Sequence, residues 1–551
     1  VNFLGVTPDG PTAIEVFDDN NRPVDFSNAE NYRLTGAASS PRDVKNHVKS
    51  GDFNLRRNID RFGLPAAVQI GVRQHVQEND KRFETINWTY AGPNGNAATV
   101  PISYTPHLNI IANRKLETDG PAFIHNLPWP SAVKLWDAFQ KNPNLLFKTP
   151  AQLVAEETAR ISNSEYIEET VSAAYLQGEL RLFKNKLWIV TGVRWEKTED
   201  DGLGPLVDAG AAFVRTTNGS FARDAQGNRI RKPEAGAAGS MEELRLTRKE
   251  RAYRATRSYD GYYPSLNVNF SATDHFQIRV GFAQTYGRPD FNRIIPNATI
   301  SEANLTELQY NDPSVIRGTI NIRNTALKPW SADNYDLSLE YYTDGGGLFT
   351  AGVYRKELRD FFGNIVKLAT AADLQELGFD PSYVGWQLST QTNTDKAQVD
   401  GLSLNAKQSL SRLGRWGKHF SVFANSTSLK LKGSREADFT SFIKSSANWG
   451  FNFSHRRFDL MARWNYRGKK KGTVVATLGP DAFNYTGSTT MLDLNADYQF
   501  RKQFAVFISA RNVFNLDRRR YAYGPETPDY ARQNFTREYG TQYTLGIKGT
   551  F

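Results

Sequence analysis

The strongest constraint on how this chain can fold is a two-residue rhythm that recurs from end to end. In FDLMARWNYR (458–467), Phe458, Leu460, Ala462, Trp464 and Tyr466 fall on one side, and Asp459, Arg463, Asn465 and Arg467 on the other. FQIRVGF (276–282), YDLSLEY (335–341), LDLNADYQF (492–500) and the terminal QYTLGIKGTF (542–551) repeat it. Weaker copies occur at 66–76, 171–183, 187–197, 264–270, 349–356, 402–408, 418–426, 445–454 and 504–511. Alternation at period two puts unlike side chains on the two faces of a strand. The chain therefore reads as all-β.

The connections narrow the architecture further. Consecutive strands meet at tight polar turns: RFGLP (61–65), FKNK (183–186), ATDH (272–275), DGGG (344–347), LGRWG (413–417), SHRR (454–457) and FRKQ (500–503). The alternate connections are long: 78–164, 201–254, 288–331, 369–385, 431–438, 469–484 and 515–534. Sorting loops by parity in this way marks an antiparallel up-and-down transmembrane β-barrel, with short turns in the periplasm and long loops outside. A soluble sandwich mixes hairpins with Greek-key crossovers and need not sort its loops. Closure satisfies the backbone in lipid while half of each strand stays polar. That reconciles a membrane protein with a mean hydropathy of −0.54. Trp195, Tyr341, Trp464, Tyr466, Tyr498 and Tyr543 suit interfacial girdles.

About 15 strands are expected from residue 51 onward, an odd number where bacterial barrels carry an even one. Residues 1–50 then form an outer loop or remnant before the first complete strand, and 51–551 the barrel, partial in its strand count. Either TAIEVF (12–17) adds a strand, or upstream strands belong to a larger parent protein.

Composition excludes several function classes. There is no cysteine among 551 residues, which removes disulfides and thiolate chemistry. The net charge of +10 is spread along the chain, so no nucleic-acid stripe forms. Seven histidines stand singly, without HExxH, so no metal site is expected. EDDGLG (199–204) lacks the alternating ligands of a calcium loop and reads as a solvated loop. No GxSxG or P-loop occurs, so no catalytic residue or cofactor is assigned.

Ligand contacts are expected in the outer loops, where Trp88, Tyr90, Tyr104, Trp129 and Trp136 could stack a sugar, aryl group or macrocycle, or simply pack the loop. Short helices are expected there at 131–140, after the Thr149/Gln152 capping box, and from Thr370 to near Gly378. Arg194, Glu196, Arg463, Asn465 and Asp493 face the lumen by alternation. GKKKG (468–472) and RRR (518–520) fall in outward loops, where Lys469, Lys470 and Lys471 could meet lipopolysaccharide phosphates.

Several stretches resemble the barrel of TonB-dependent outer-membrane receptors. They are YYPSLNVNFSATDHFQIRVGFAQTYGRPDF (262–291), LKPWSADNYDLSLEYY (327–342), VYRKELRDFF (353–362) and ARNVFNLDRRRY (510–521). The terminal Tyr543, Leu545, Ile547 and Phe551 resemble the signal read by the barrel-assembly machinery. The likeness covers 255–551 well and 51–254 by pattern only. It implies a parent barrel of about 22 strands in a Gram-negative outer membrane. It also implies import of a siderophore, vitamin or oligosaccharide, energised by the TonB inner-membrane complex through a plug that this chain does not carry. The lumen-facing polar residues would then line the substrate path or bond to that plug. A surface receptor or adhesin barrel without transport, or a passive porin, is the alternative.

Overall fold

The computed structural model describes residues 1–5, 13–25, 28–61, 64–91, 108–110, 128–217, 219–312, 315–324, 327–377, 379, 381–394, 396–433, 441–475, 478, 482–537 and 539–550. Tyr104 and Phe551 lie outside them.

Fifteen long strands form one antiparallel wall. β1 (Arg42–Arg61) pairs with β2 (Leu64–Phe83), followed by β3 (Ser164–Leu182), β4 (Leu187–Asp208) and β5 (Arg248–Ser271). Next come β6 (Phe276–Gly287), β7 (Trp330–Thr343), β8 (Gly347–Arg359) and β9 (Ala397–Ser409). The wall ends with β10 (Phe420–Lys432), β11 (Ser445–His455), β12 (Phe458–Arg467), β13 (Thr489–Arg501), β14 (Phe504–Arg511) and β15 (Gln542–Gly549). The first wall strand starts at Arg42, ahead of the boundary expected at 51.

TAIEVF does form a strand, Ala13–Phe17, but it pairs with Asn2–Leu4 and Pro23–Val24 in a separate small sheet. It leaves the odd count of the wall unchanged. With fifteen alternating strands, β1 and β15 run the same way. The neighbour order brings β15 round to β1, yet no antiparallel ladder can join two strands of equal direction. Among the described residues no register pairs them, and both are exposed along nearly their whole length. Parity leaves only a parallel pairing to close the barrel between β15 and β1.

The outward rows show where the bilayer sits. On β4 they read Leu187, Ile189, Thr191, Val193, Trp195, and on β5, in register, Phe270, Val268, Leu266, Pro264, Tyr262. That is the nine-residue reach of a spanning strand. Beyond Trp195 the same row turns to Lys197, Glu199 and Asp201, opposite Asp260, Ser258 and Thr256. β1–β5 therefore continue past the membrane as a charged outer extension. EDDGLG, expected as a loop, lies inside β4: Glu199 and Asp201 face out, while Asp200 faces the lumen. Its charge reflects water outside the bilayer, not a break in the strand. Aromatic residues mark the other boundary, where Phe276, Tyr341 and Phe349 lie in register, as do Phe458 and Tyr498.

The outer loops carry their own cores. α1 (Ala132–Lys141) is capped by Ser131, and α2 (Pro150–Ser162) by the Thr149/Gln152 capping box. α3 (Ala371–Leu377) ends one residue before Gly378. Ile300, Ile320, Ile322, Leu374, Trp386 and Leu388 bury together with Tyr253 from the upper part of β5. Ile294 and Ile295 pack on Ile167 of β3, on the lumen face.

Candidate functional site: the lumen and its mouth

Two charged regions face the lumen. The first lies on the outer extension of β2–β5. Arg194 Nε donates to Glu196 Oε2 at 2.7 Å, and Arg288 Nη1 donates to Glu169 Oε1 at 3.0 Å. The second Arg288 nitrogen stands 3.9 Å from Glu196. Arg194, Glu196 and Arg288, with Arg73, His75 and Tyr286, border a cavity of about 450 Å³. Tyr286 stacks on Tyr263 at 4.4 Å between ring centres. Behind them Asp200 is 8% exposed. It sits directly opposite Glu169 on β3 and Arg257 on β5, and its Oδ1 has no hydrogen-bond partner among the described residues. Burial, reinforced by the Glu169 charge and opposed by Arg257 and Arg288, pushes its carboxyl up to about 7. Burial also raises Glu169, against the pull of Arg288. Both lie above the Trp195 level, outside the bilayer.

The loop of residues 288–331 is fastened over this region. Arg323 Nη1 donates to the buried Glu165 at 2.5 Å, and Lys81 holds the other carboxylate oxygen at 3.0 Å. Pro296 lies flat against the backbone of β4. A Cβ at Gly204 would stand 1.5 Å from its carbonyl oxygen, and one at Gly202 2.7 Å from its Cδ. Only glycine admits that approach.

The second region rims β12–β14. Arg463 and Asp493 are direct cross-strand partners 3.6 Å apart, and Asn465 Nδ2 donates to Asp493 at 3.1 Å. All three lie on the inward rows that alternation predicts, as do Arg194 and Glu196. Above them stands a four-stranded sheet of Lys470–Val474, Phe483–Thr486, Arg518–Tyr523 and Gln533–Arg537. The lysine run is divided by strand alternation. Lys469 lies over the rings of Tyr485 and Tyr523, at 4.2 and 4.6 Å, and Lys471 over Phe483 at 3.5 Å. Lys470 is on the opposite face with Arg518, Arg520 and Arg537. The three lysines are therefore not one surface.

The loop aromatics separate as well. Tyr90 is buried with Leu34, Leu135, Leu145 and Leu146, and Trp88 packs against that cluster with Lys148 over its ring at 5.4 Å. Trp136 is half exposed, 5.6 Å from Phe139. Trp129 lies in the short strand Pro128–Pro130. Tyr90 and Trp88 thus serve the loop core, while Trp136 presents an accessible ring. On β15, Tyr543, Leu545 and Ile547 all point outward and are exposed, while the inward Lys548 pairs with Asp497.

A wall with a bilayer-high apolar exterior, a charged lumen and folded loops at one end defines a transmembrane β-barrel. The family model "TonB dependent receptor-like, beta-barrel" matches residues 3–513, and the chain belongs to that family. Its structure is similar to the ferric-catecholate import receptor Fiu from K12 E. coli, at 12% identity and a TM-score of 0.52, over 93% of this chain and 55% of that one. It also resembles the siderophore receptor PiuA from Acinetobacter baumannii, at 13% identity and a TM-score of 0.49, over 92% of this chain and 56% of that one. The chain thus spans little more than half the length of these relatives. No curated protein matches its sequence.

Proposed function

We propose that the chain supplies the barrel of an outer-membrane receptor that imports a scarce ligand, of the siderophore, vitamin or oligosaccharide class, with energy delivered through TonB. The observation that carries this reading is the loop cap of residues 288–331, tied by Arg323 to buried Glu165 and seated on Gly202 and Gly204 over a charged lumen. A passive pore has no use for such a cover. Membership of a receptor family supports the same reading. TonB would act through a plug in the lumen, with Arg194, Glu196, Arg463, Asn465 and Asp493 lining the path or bonding to that plug. The barrel-assembly machinery would read Tyr543, Leu545, Ile547 and Phe551. Lipopolysaccharide contact is assigned to Lys469 and Lys471, since Lys470 faces away from them.

The test is ligand-limited growth of a strain lacking the full gene. Growth that fails on one limiting nutrient, and fails equally when TonB is removed, supports import. Ligand capture by the surface protein with no growth defect replaces import with an adhesin role. For lipopolysaccharide, Lys469→Glu with Lys471→Glu should weaken binding, and unchanged binding removes that contact.

A further inference from the structure

We propose that the lumen-side face of the outer sheet above β12–β14 is an anion-binding subsite, so that the ligand presents a carboxylate- or phosphate-type group there. This deepens the receptor reading above and rests on it. A cavity of about 220 Å³ opens on that face, bordered by Arg467, Lys470, Arg518, Arg520 and Arg537. Thr489 and Met491, from the inward row of β13, form its floor. No carboxylate among the described residues pairs with any of the five cations.

The register makes this an unusual arrangement. Arg518 sits directly opposite Arg537, and Arg520 is next along, opposite Phe535 and Thr486, with Lys470 beyond Thr486. Like charges directly across a ladder weaken strand pairing. Elsewhere the wall meets its cross-strand arginines with acids: Arg355 with Asp400 at 2.8 Å, Arg463 with Asp493 at 3.6 Å, and Arg279 with Glu340 at 3.0 Å. Here the guanidinium groups rest on rings instead, Arg518 over Tyr539 at 5.1 Å and Arg520 over Phe535 at 5.1 Å. Ring faces orient a guanidinium without neutralising it, leaving the planar forks free for bidentate contact with an oxyanion. The opposite face carries Lys469 and Lys471 against Tyr485, Tyr523 and Phe483. One sheet thus has a cationic inner face and an aromatic outer one.

The face turns toward the lumen, which assigns the anion to a soluble ligand and not to a lipid headgroup. The test uses the protein expressed from its full gene and purified in detergent free of lipopolysaccharide, with citrate as probe and glucose as the neutral control. Calorimetry should show salt-sensitive citrate binding and no glucose binding. Arg520→Gln should weaken citrate about tenfold, and Arg518→Gln with Arg520→Gln about a hundredfold. Lys469→Gln with Lys471→Gln removes the same charge from the opposite face and should leave citrate binding unchanged. Heat-modifiable migration on gels checks that each variant is folded.

Equal loss in both double variants, or none in either, overturns the subsite. Displacement of citrate by added lipopolysaccharide, with lipopolysaccharide binding lost in the Arg518/Arg520 variant, overturns the soluble-ligand assignment. Because the readout is binding, intact citrate binding beside absent TonB-dependent growth sinks the import reading alone. The reverse result sinks the subsite alone.

Discussion

Replacing Asp200 by asparagine should stabilise the outer extension at pH 8 and change little at pH 4. Asp200 is buried between β3 and β5, faces the Glu169 carboxylate, and titrates in the folded protein near about 7. In the unfolded chain an aspartate titrates near about 4. Below about pH 4 the carboxyl is protonated in both states and contributes no difference. Between about 4 and about 7 the unfolded chain ionises first, so stability falls as the pH rises, and above about 7 the loss is complete. At about 1.4 kcal/mol per tenfold change in the proton equilibrium, the full loss has a ceiling of about 4 kcal/mol. Asparagine keeps the shape and carries no charge, so the variant should gain about 2–4 kcal/mol at pH 8 and under about 0.5 kcal/mol at pH 4. The assay is urea unfolding in detergent micelles, followed by tryptophan fluorescence at pH 4, 6 and 8. Asp201, one residue along, is the control. It faces out and is paired with Arg254 at 2.6 Å, which holds its carboxyl below the usual range. Asp201→Asn should therefore lose stability at pH 8, by no more than about 1 kcal/mol because the pair is solvent-exposed. A gain at Asp200 that is the same at all three pH values would falsify the account, since it would owe nothing to charge.

Four further substitutions separate the loops from the wall and one wall face from the other. Leu374→Ala, in the buried core shared by Ile300, Ile320, Trp386 and Leu388, should cost about 2–5 kcal/mol locally; proteolysis should then cut the outer loops faster while the barrel still migrates as a folded species on unheated gels. Gly204→Ala places a methyl group on the Pro296 carbonyl and should lift the loop of residues 288–331 off β4, read as lost cross-linking between cysteines introduced at Ala298 and Leu206, which lie in register. Leu545→Arg sets a charge on the lipid-facing row of β15 and should cost about 2–4 kcal/mol if it lies at mid-bilayer, whereas Thr544→Arg, on the lumen face, should be tolerated; equal folding yields would remove the assignment of faces.

The wall was legible in the sequence because a transmembrane strand writes both of its environments into alternate residues. Phe458 to Arg467 or Tyr335 to Tyr341 needs no tertiary information to be read. Helices α1, α2 and α3 were legible for a local reason too, since Ser131, Thr149, Thr370 and Asn142-Pro143 are start and stop signals in themselves; the short helices Met241–Thr247, Phe291–Ile294 and Glu307–Asn311 were not. The outer extension was not. Past Trp195 the outward row meets water instead of lipid, both faces become polar, and EDDGLG loses the contrast that identifies a strand. Asp200 was missed with it: nothing in a run of acids says which one is turned inward. The loop aromatics failed differently. Tyr90 and Trp136 are equally plausible stacking rings by type, and only the packing of Leu34, Leu135, Leu145 and Leu146 distinguishes a core tyrosine from a surface tryptophan.

The two charged regions of the lumen obey opposite rules. On β2–β5 each acid is sealed under a loop and set against an arginine of its own: Glu169 and Arg288, Glu196 and Arg194, Glu165 and Arg323. That matching suits a structural purpose, because an unpaired charge at such depth would cost more than its loop contacts return. Asp200 is the exception, opposite both an acid and an arginine. In the outer sheet above β12–β14, unlike Arg463 beneath it, which pairs with Asp493, Arg518 and Arg520 rest on rings, and no acid among the described residues matches them. Solvent screens their mutual repulsion cheaply while the site is empty. An entering anion removes that solvent and meets several oriented donors at once, so the energy withheld from the fold becomes available to the ligand. On the proposed receptor reading, the paired charges belong to the wall that stays rigid and the unpaired ones to the wall that meets the ligand.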